Sequence, residues 1–245
     1  MAKKIRVDRL MIARGLTDSV AKAQALILAG EVVVNDQRVD KPGTAISPDA
    51  FIRLKGEPQR YVSRGGYKLE AALKSVSISC DGLVCADIGA STGGFTDCLL
   101  QHGAAKVYAI DVGRGQLHQK LRVDSRVIQR DRINARALDD EILPEPVQLA
   151  VIDVSFISLR HVVVPLLSRM ATPGWLVALV KPHFESRPDE IESGGVVRSD
   201  DIRQAIVDRT VAWFSAQGLT IVTVIESPIL GPAGNREVLL VATQP

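Results

Sequence analysis

The sequence predicts an α/β protein, a doubly wound and largely parallel sheet preceded by a small α+β domain, and three observations carry that expectation. From Leu83 onward, short apolar runs alternate with helical patterns, as strands joined by crossover helices do. Residues 83–97, LVCADIGASTGGFTD, run from an apolar strand through a glycine-rich turn into a helix, the arrangement found at the ligand-binding edge of open α/β sheets. The first sixty residues show no such alternation and read as helix, turn, helix and short strands. A chain of 245 residues accommodates both parts.

In the first part, Val7, Leu10, Met11 and Ile12 form a short apolar face that Gly15 stops. Thr17 or Asp18 is positioned to cap a second helix whose apolar residues are Val20, Ala21, Leu26, Ile27 and Leu28. Gly30 stands where a left-handed cap belongs. Val32–Val34, Asn35–Asp36 and Arg38–Val39 then suit a hairpin. Lys3, Lys4, Arg6, Arg9, Arg14 and Lys22 crowd onto these helices. Residues 1–60 hold 11 Lys/Arg against 7 Asp/Glu, whereas residues 61–245 hold 19 against 21, so only the front is basic. A basic module on a nearly neutral body suits a polyanion at one end, and a solvated charged surface would look the same.

Other classes are disfavoured. Cys80, Cys85 and Cys98 lack metal-ligand spacing and suggest no disulfide framework, so a reducing, cytoplasmic setting is expected and no metal. Cys85 and Cys98, in apolar surroundings, read as buried packing residues. The basic N-terminus has no apolar core of a signal peptide. The apolar stretch from His161 to Val180 is broken by Pro165, Arg169, Pro173 and Gly174 and cannot span a membrane as one helix.

After a linker over residues 59–66, a helix is expected near Tyr67. Strands are expected at Leu83–Asp87, Lys106–Asp111, Val127–Arg130, Leu149–Asp153, Trp175–Val180, Thr220–Glu226 and Val238–Ala242. The last two suit an antiparallel edge hairpin. The domains are thus 1–58 and 67–245, the second Rossmann-like.

A nucleoside cofactor is expected at the turn formed by Asp87, Gly89, Ala90, Ser91, Thr92, Gly93, Gly94 and Phe95. Asp111, ending the next strand, can hold ribose hydroxyls, an arrangement that fits dinucleotides as well as S-adenosyl-L-methionine. The turn is not G-x-G-x-x-G, and its acidic residue precedes the first glycine. A carboxylate there attracts a cationic ligand end and repels a pyrophosphate, which favours S-adenosyl-L-methionine. Asp131, Arg132 and Asn134 follow the third strand at the same sheet edge, and the resemblance given below implies an adenine-binding role for them.

Lys68, Asp153, Lys181 and Glu237 stand at places that converge on one sheet edge. Two lysines and two carboxylates suit deprotonation of a ribose hydroxyl, a poor nucleophile near neutral pH. A lysine serves as base only where burial or a second cation favours its neutral form, so Lys68 is expected to support Lys181 while Glu237 orients one ammonium. A quieter role, in which Lys181 only stabilises the developing alkoxide, fits equally. His183 is expected near the site.

These motifs carry resemblances. The front segment RVDRLMIARGLTDSVAKAQALILAGEVVVNDQRV looks like an S4 domain, a small RNA-binding module, over roughly residues 5–54. D-I-G-A-S-T-G-G-F resembles the first motif of FtsJ-like RNA 2′-O-methyltransferases, and Lys68, Asp153, Lys181 and Glu237 match that family's K-D-K-E tetrad. With S-R-G-G-Y-K-L, D-V-S-F-I-S-L, L-V-K-P-H-F-E and G-N-R-E in one order, nearly the whole chain resembles the TlyA family, also labelled hemolysin. The resemblance implies 2′-O-methylation of cytidine in ribosomal RNA within a ribosomal subunit, with S-adenosyl-L-homocysteine as by-product; on oligomeric state the sequence is silent, and a monomer is the working expectation. Longer-tailed members of that family modify both subunit RNAs and shorter ones only the large. With Pro245 soon after the last strand, this chain resembles the shorter type. Arg6, Arg14, Lys22 and Arg64 are the expected RNA contacts. The family's longer members carry an R-A-W-V-like linker where this chain has Arg60, Tyr61 and Val62, so coupling of RNA grip to cofactor binding is expected through Tyr61.

Overall fold

The protein, a computed structural model, is described for residues 4–35, 37–55, 60–191, 196–197, 199–231 and 234–245. Lys3, Asp36 and most of the Lys55–Gln59 stretch lie outside them. The chain divides into two compact units, Met1–Arg60 and Tyr61–Pro245.

The first unit runs β1 (Ile5–Arg6), α1 (Val7–Ala13), α2 (Val20–Leu28), β2 (Val32–Val34), β3 (Gln37–Val39), β4 (Ala45–Ile46) and β5 (Ile52–Leu54). Strand β2 lies between antiparallel β3 and β5, and β1 pairs with β4. Val7, Met11, Ala23, Ile27, Val32, Val34 and Ile52 form its core. Neither Thr17 nor Asp18 caps α2. Ser19 does, its Oγ accepting from Lys22 N at 3.3 Å, because the Thr17 hydroxyl is spent on Ser19 O and Asp18 pairs with Lys22. Leu28, expected inward, is exposed, and Ala23 takes its place in the core. Asp8 is buried and accepts from Arg6 Nη2 at 2.6 Å, Arg9 N at 2.8 Å and Gln24 Nε2 at 3.2 Å. These bonds, led by that from Arg6, hold its carboxyl at about 2.

The second unit comprises α3 (Gly65–Ser75), β6 (Val84–Ile88), α4 (Gly94–Gln101), β7 (Lys106–Asp111), α5 (Gln119–Arg122), β8 (Val127–Asp131), β9 (Val147–Ile152), α6 (Arg160–Leu167), β10 (Met170–Val180), α7 (Pro182–Glu185), α8 (Asp200–Ala216), β11 (Thr220–Glu226) and β12 (Val238–Gln244). Among the described residues its seven strands are ordered β11-β12-β10-β9-β6-β7-β8, with only β11 and β12 joining by antiparallel pairing. The expected antiparallel edge hairpin is present: β11 pairs with β12 and forms the edge, and β12, beside β10, is buried.

The pleat sorts side chains into two cores. Val177 and Leu179 of β10 face a cluster with α3 and α4, including Leu69, Leu73, Phe95 and Leu99. Leu176, Ala178 and Val180 face the other cluster, with Val163 and Leu166 of α6 and Val207 and Phe214 of α8. Cys85 and Cys98 are buried in the first core.

Residues 61–66, expected as linker, belong to the second unit. Tyr61 is buried, its ring 5.2 Å edge-on from Tyr67, and Val62 N donates to Asp97 Oδ2 at 2.9 Å. An aromatic side chain with this packing is core rather than tether.

Candidate active site

The site lies at the carboxyl ends of the parallel strands, where β-ends and the turns after them project out of the sheet. Ile152 of β9 pairs with Ile88 of β6 and with Ala178 of β10, so Asp153 emerges between the glycine turn and Lys181. Val180 pairs with Val238, which sets Lys181 and Glu237 side by side at adjoining strand ends. Helix α3 packs on β12 and brings Lys68 to Glu237.

Two lysine–carboxylate pairs result. Lys68 Nζ donates to Glu237 Oε2 at 2.6 Å, with Glu237 wholly buried and Lys68 nearly so. Lys181 Nζ lies 2.7 Å from Asp153 Oδ1 and also donates to Val154 O at 2.8 Å and Ser155 Oγ at 3.0 Å. Asp153 is the partly open member, with its side chain 25% exposed. Buried charges persist only when paired in this way.

Beside Asp153 opens a cleft of 490 Å³, a size suited to a small-molecule ligand. Its wall includes Gly89, Ser91, Asp111, Asn134, Asp153 and Ser155, with Ile110, Val112 and Ile133 supplying apolar surface. Asp111 Oδ2 accepts from Ser91 N at 2.8 Å and Oδ1 from Gly113 N at 2.6 Å, which fixes the carboxylate and leaves further acceptor capacity on each oxygen. A Cβ on Gly89 would come within 2.5 Å of Asp153 O, so only glycine lets these two strand ends adjoin.

Several residues of the glycine turn serve packing rather than the cleft. Gly93 starts α4 at φ +94°, a left-handed conformation, and a Cβ there would collide with Leu121 and Leu117. A Cβ on Gly94 would run into Ser63 Oγ and within 3.0 Å of Gly66 N. Ala90 and Phe95 are buried, and Thr92 O accepts from His118 N at 3.1 Å. Asp87 departs most from expectation. It is fully buried, and Oδ2 accepts from Thr96 N at 2.8 Å and Thr96 Oγ1 at 2.6 Å. Burial, reinforced by Asp153 and Asp111, pushes its carboxyl up to about 7 against those bonds. Its Oδ1 has no hydrogen-bond partner among the described residues. Asp87 thus braces the start of α4 from inside and does not line the cleft.

On the adenine side, Asn134 lines the cleft but Asp131 and Arg132 do not. Asp131 instead accepts from Gly115 N and Gln129 Nε2, both at 2.8 Å, and shapes the loop after β7. Other residues that sequence reasoning did not single out as site candidates also line the cleft, among them Val112, Gln116, Ser155 and Phe156. Phe156 is 91% exposed at φ +62°, its ring 5.2 Å from Phe184. An aromatic among small residues just past a strand end was the available signal. His183 packs on Phe184 at 4.1 Å, and burial and Lys181 lower its pKa.

The expected RNA contacts fare unevenly. Lys22 is exposed and pairs only loosely with Asp18 at 3.5 Å, while Arg6 is engaged with Asp8. Arg14 gives its guanidinium to Ala50 O and Pro48 O and so ties α1 to the loop before β5. Arg64 precedes α3 in the second unit.

A doubly wound sheet of this order, with its cleft at the β6–β7 strand ends and lysine–carboxylate pairs beside it, defines an α/β methyltransferase. Comparison with known proteins bears this out. Residues 61–244 match the FtsJ-like methyltransferase family and residues 5–52 the S4 domain. The chain belongs to the FtsJ-like methyltransferase family, in its S4-bearing TlyA branch. It is 42% identical over 241 residues to the 16S/23S rRNA (cytidine-2′-O)-methyltransferase TlyA of Mycobacterium tuberculosis, covering 98% of this chain and 90% of that one. It is 35% identical over 179 residues to the 23S rRNA (cytidine-2′-O)-methyltransferase TlyA of Campylobacter jejuni, covering 72% and 68%. A solved structure of a hemolysin candidate from Streptococcus thermophilus superposes with a TM-score of 0.77 at 41% identity, covering all of this chain and 90% of that one. Among the described residues no helix is long and apolar enough to cross a membrane.

Proposed function

We propose that this chain transfers the methyl group of S-adenosyl-L-methionine to the ribose 2′-oxygen of a cytidine in ribosomal RNA. Large-subunit RNA is favoured because both named relatives act on 23S RNA. The observation that carries the reading is the juxtaposition of the cleft with the Lys181–Asp153 pair, flanked by the buried Lys68–Glu237 pair.

The cleft residues fit the methyl donor. Asp111, fixed by two backbone N–H groups, takes the ribose hydroxyls, and Asn134 with Val112 and Ile133 takes the adenine. Asp153 offers its open oxygen to the amino group. When bound, the sulfonium supplies an electrophilic methyl, and the protein's task is in-line positioning of the target oxygen. Lys181 handles that oxygen's proton or its developing charge. Lys68 and Glu237 hold the neighbouring strand end as a buried ion pair. Phe156, an exposed ring beside the cleft, suits stacking on a nucleobase. Lys22 and Arg6 in the first unit suit phosphate contacts, as does Arg64 in the second. On this reading the enzyme works in the cytoplasm, on a ribosomal subunit.

The test is methyl transfer from labelled S-adenosyl-L-methionine to purified ribosomal subunits lacking the modification, wild type against Lys181→Ala. Label in large-subunit RNA with wild type only, surviving alkali as a dinucleotide, is the expected result. No label from a wild-type protein that still binds the subunit would assign it a non-catalytic ribosome-binding role instead.

A further inference from the structure

The hydrogen bonds around Lys181 dictate where its proton can leave and arrive. Among the described residues its three partners are Asp153 Oδ1, Val154 O and Ser155 Oγ, one for each N–H of an ammonium. A carboxylate and a carbonyl can only accept, whereas a hydroxyl can accept or donate. When Lys181 is neutral, two N–H groups remain and a lone pair takes the third tetrahedral direction. Aimed at Asp153 or Val154, that lone pair would face another acceptor. Aimed at Ser155, it receives the hydroxyl hydrogen. Ser155 is therefore the one partner compatible with both protonation states, and the exchangeable proton of Lys181 lies along the Nζ–Oγ line. It is also the longest of the three contacts and the only neutral hydroxyl among them.

Access points the same way. Ser155 is exposed and lines the cleft, whereas the Lys181 side chain is 9% exposed. Ser155 is thus the more accessible of the two to a target hydroxyl at the cleft's edge. Glu185 holds this segment in place, with Oε2 accepting from Ser158 Oγ at 2.6 Å and Oε1 from Leu159 N at 2.7 Å.

Resting on the ribose-methylation reading above, we infer that the Ser155 hydroxyl is a proton relay between the target 2′-hydroxyl and Lys181. As the target oxygen forms its bond to the methyl carbon, the carbon–sulfur bond breaks and its electron pair stays on sulfur. The 2′-hydroxyl proton passes to Ser155 Oγ, and the original Ser155 proton passes to neutral Lys181. The sulfonium charge disappears and an ammonium charge appears, so charge and protons balance. Lys181 returns its proton to solvent between turnovers. Asp153 and Val154 O receive the new ammonium without moving.

The test uses the full-length enzyme with Ser155→Thr and Ser155→Val, side chains of similar shape that differ in the hydroxyl. In single-turnover methyl transfer to unmodified subunits, Thr should keep the rate within about threefold and Val should lose about 100-fold, the scale of an interrupted general-base path. Binding of S-adenosyl-L-homocysteine, measured alongside, should respond alike in Thr and Val, so that the difference in rate between them reads the hydroxyl. Rates in mixtures of light and heavy water should fit two protons in flight for wild type and Thr, and should not for Val. Thr and Val variants of equal rate would overturn the relay while leaving ribose methylation intact. Wild-type label recovered on a base, or no label at all, would overturn the functional reading and the relay together.

Discussion

At the residue scale, two buried aspartates have opposite consequences for pH. Asp87 is raised from 3.8 to about 7, so the folded state holds more protons than the unfolded between those values. Stability of the second unit should decline as pH rises through that window and level off above it. Asp87→Asn removes the ionisation while its oxygen can still accept from Thr96 N. Urea denaturation at both ends of the window should show the wild-type difference shrinking in the variant, and an undiminished difference would assign it to other groups. Asp8 is lowered from 3.8 to about 2, so its contribution is complete above 3.8 and is lost as pH falls through 2. Asp8→Asn should remove that acid-limb loss and lower the stability of the first unit near neutral pH, again read by denaturation.

At the element scale, the segment from Asp153 to Leu159 is held by two short anchors from the end of β10 and α7. Lys181 binds its start and Glu185 its end. Burial raises the Glu185 carboxyl above its ordinary range even though Ser158 and Leu159 donate to it. Glu185→Ala strips two donors of their acceptor, which should cost about 1–3 kcal/mol in thermal or urea unfolding. It should also weaken S-adenosyl-L-homocysteine binding, because this segment is one wall of the cleft. An unchanged dissociation constant would show that the wall holds without Glu185. A second junction joins residues 61–66 to α4 through Val62 N on Asp97 and the approach of Ser63 and Gly66 to Gly94. Tyr61→Ala, which empties a core position there, should cost about 3–5 kcal/mol. It should also reduce cofactor affinity. Unaltered cofactor binding and RNA methylation would end the idea that this junction couples the two.

At the scale of the whole molecule, function divides along the charge. The basic front and the nearly neutral catalytic body suit separate tasks, grip on a polyanion and chemistry on one nucleotide. Lys22 is the better probe of grip than Arg6. Reversing Arg6 would strand the buried Asp8 carboxylate, so lost binding could not be told from lost folding. Lys22→Glu should weaken subunit binding and flatten its dependence on salt, by a slope of about one per lost phosphate contact. Binding curves at several salt concentrations measure it, and parallel slopes would remove Lys22 from the interface.

The sequence by itself determined the alternation of strands and helices, the order of the two units and the four residues of the lysine–carboxylate pairs. Periodicity and residues at strand ends are local signals, and strand ends are where α/β sheets place their chemistry. Only the tertiary structure decided which lysine meets which carboxylate, since Lys68 and Glu237 lie 169 positions apart. It alone showed Asp87, Gly93 and Gly94 packed about the start of α4, because burial depends on what packs from elsewhere in the chain. It alone placed β12 inside the sheet, and gave residues 61–66 to the catalytic unit through Tyr61. Ser155 shows the difference most plainly. Nothing in a lone serine marks it, and its role arises from the three partners that surround one amine.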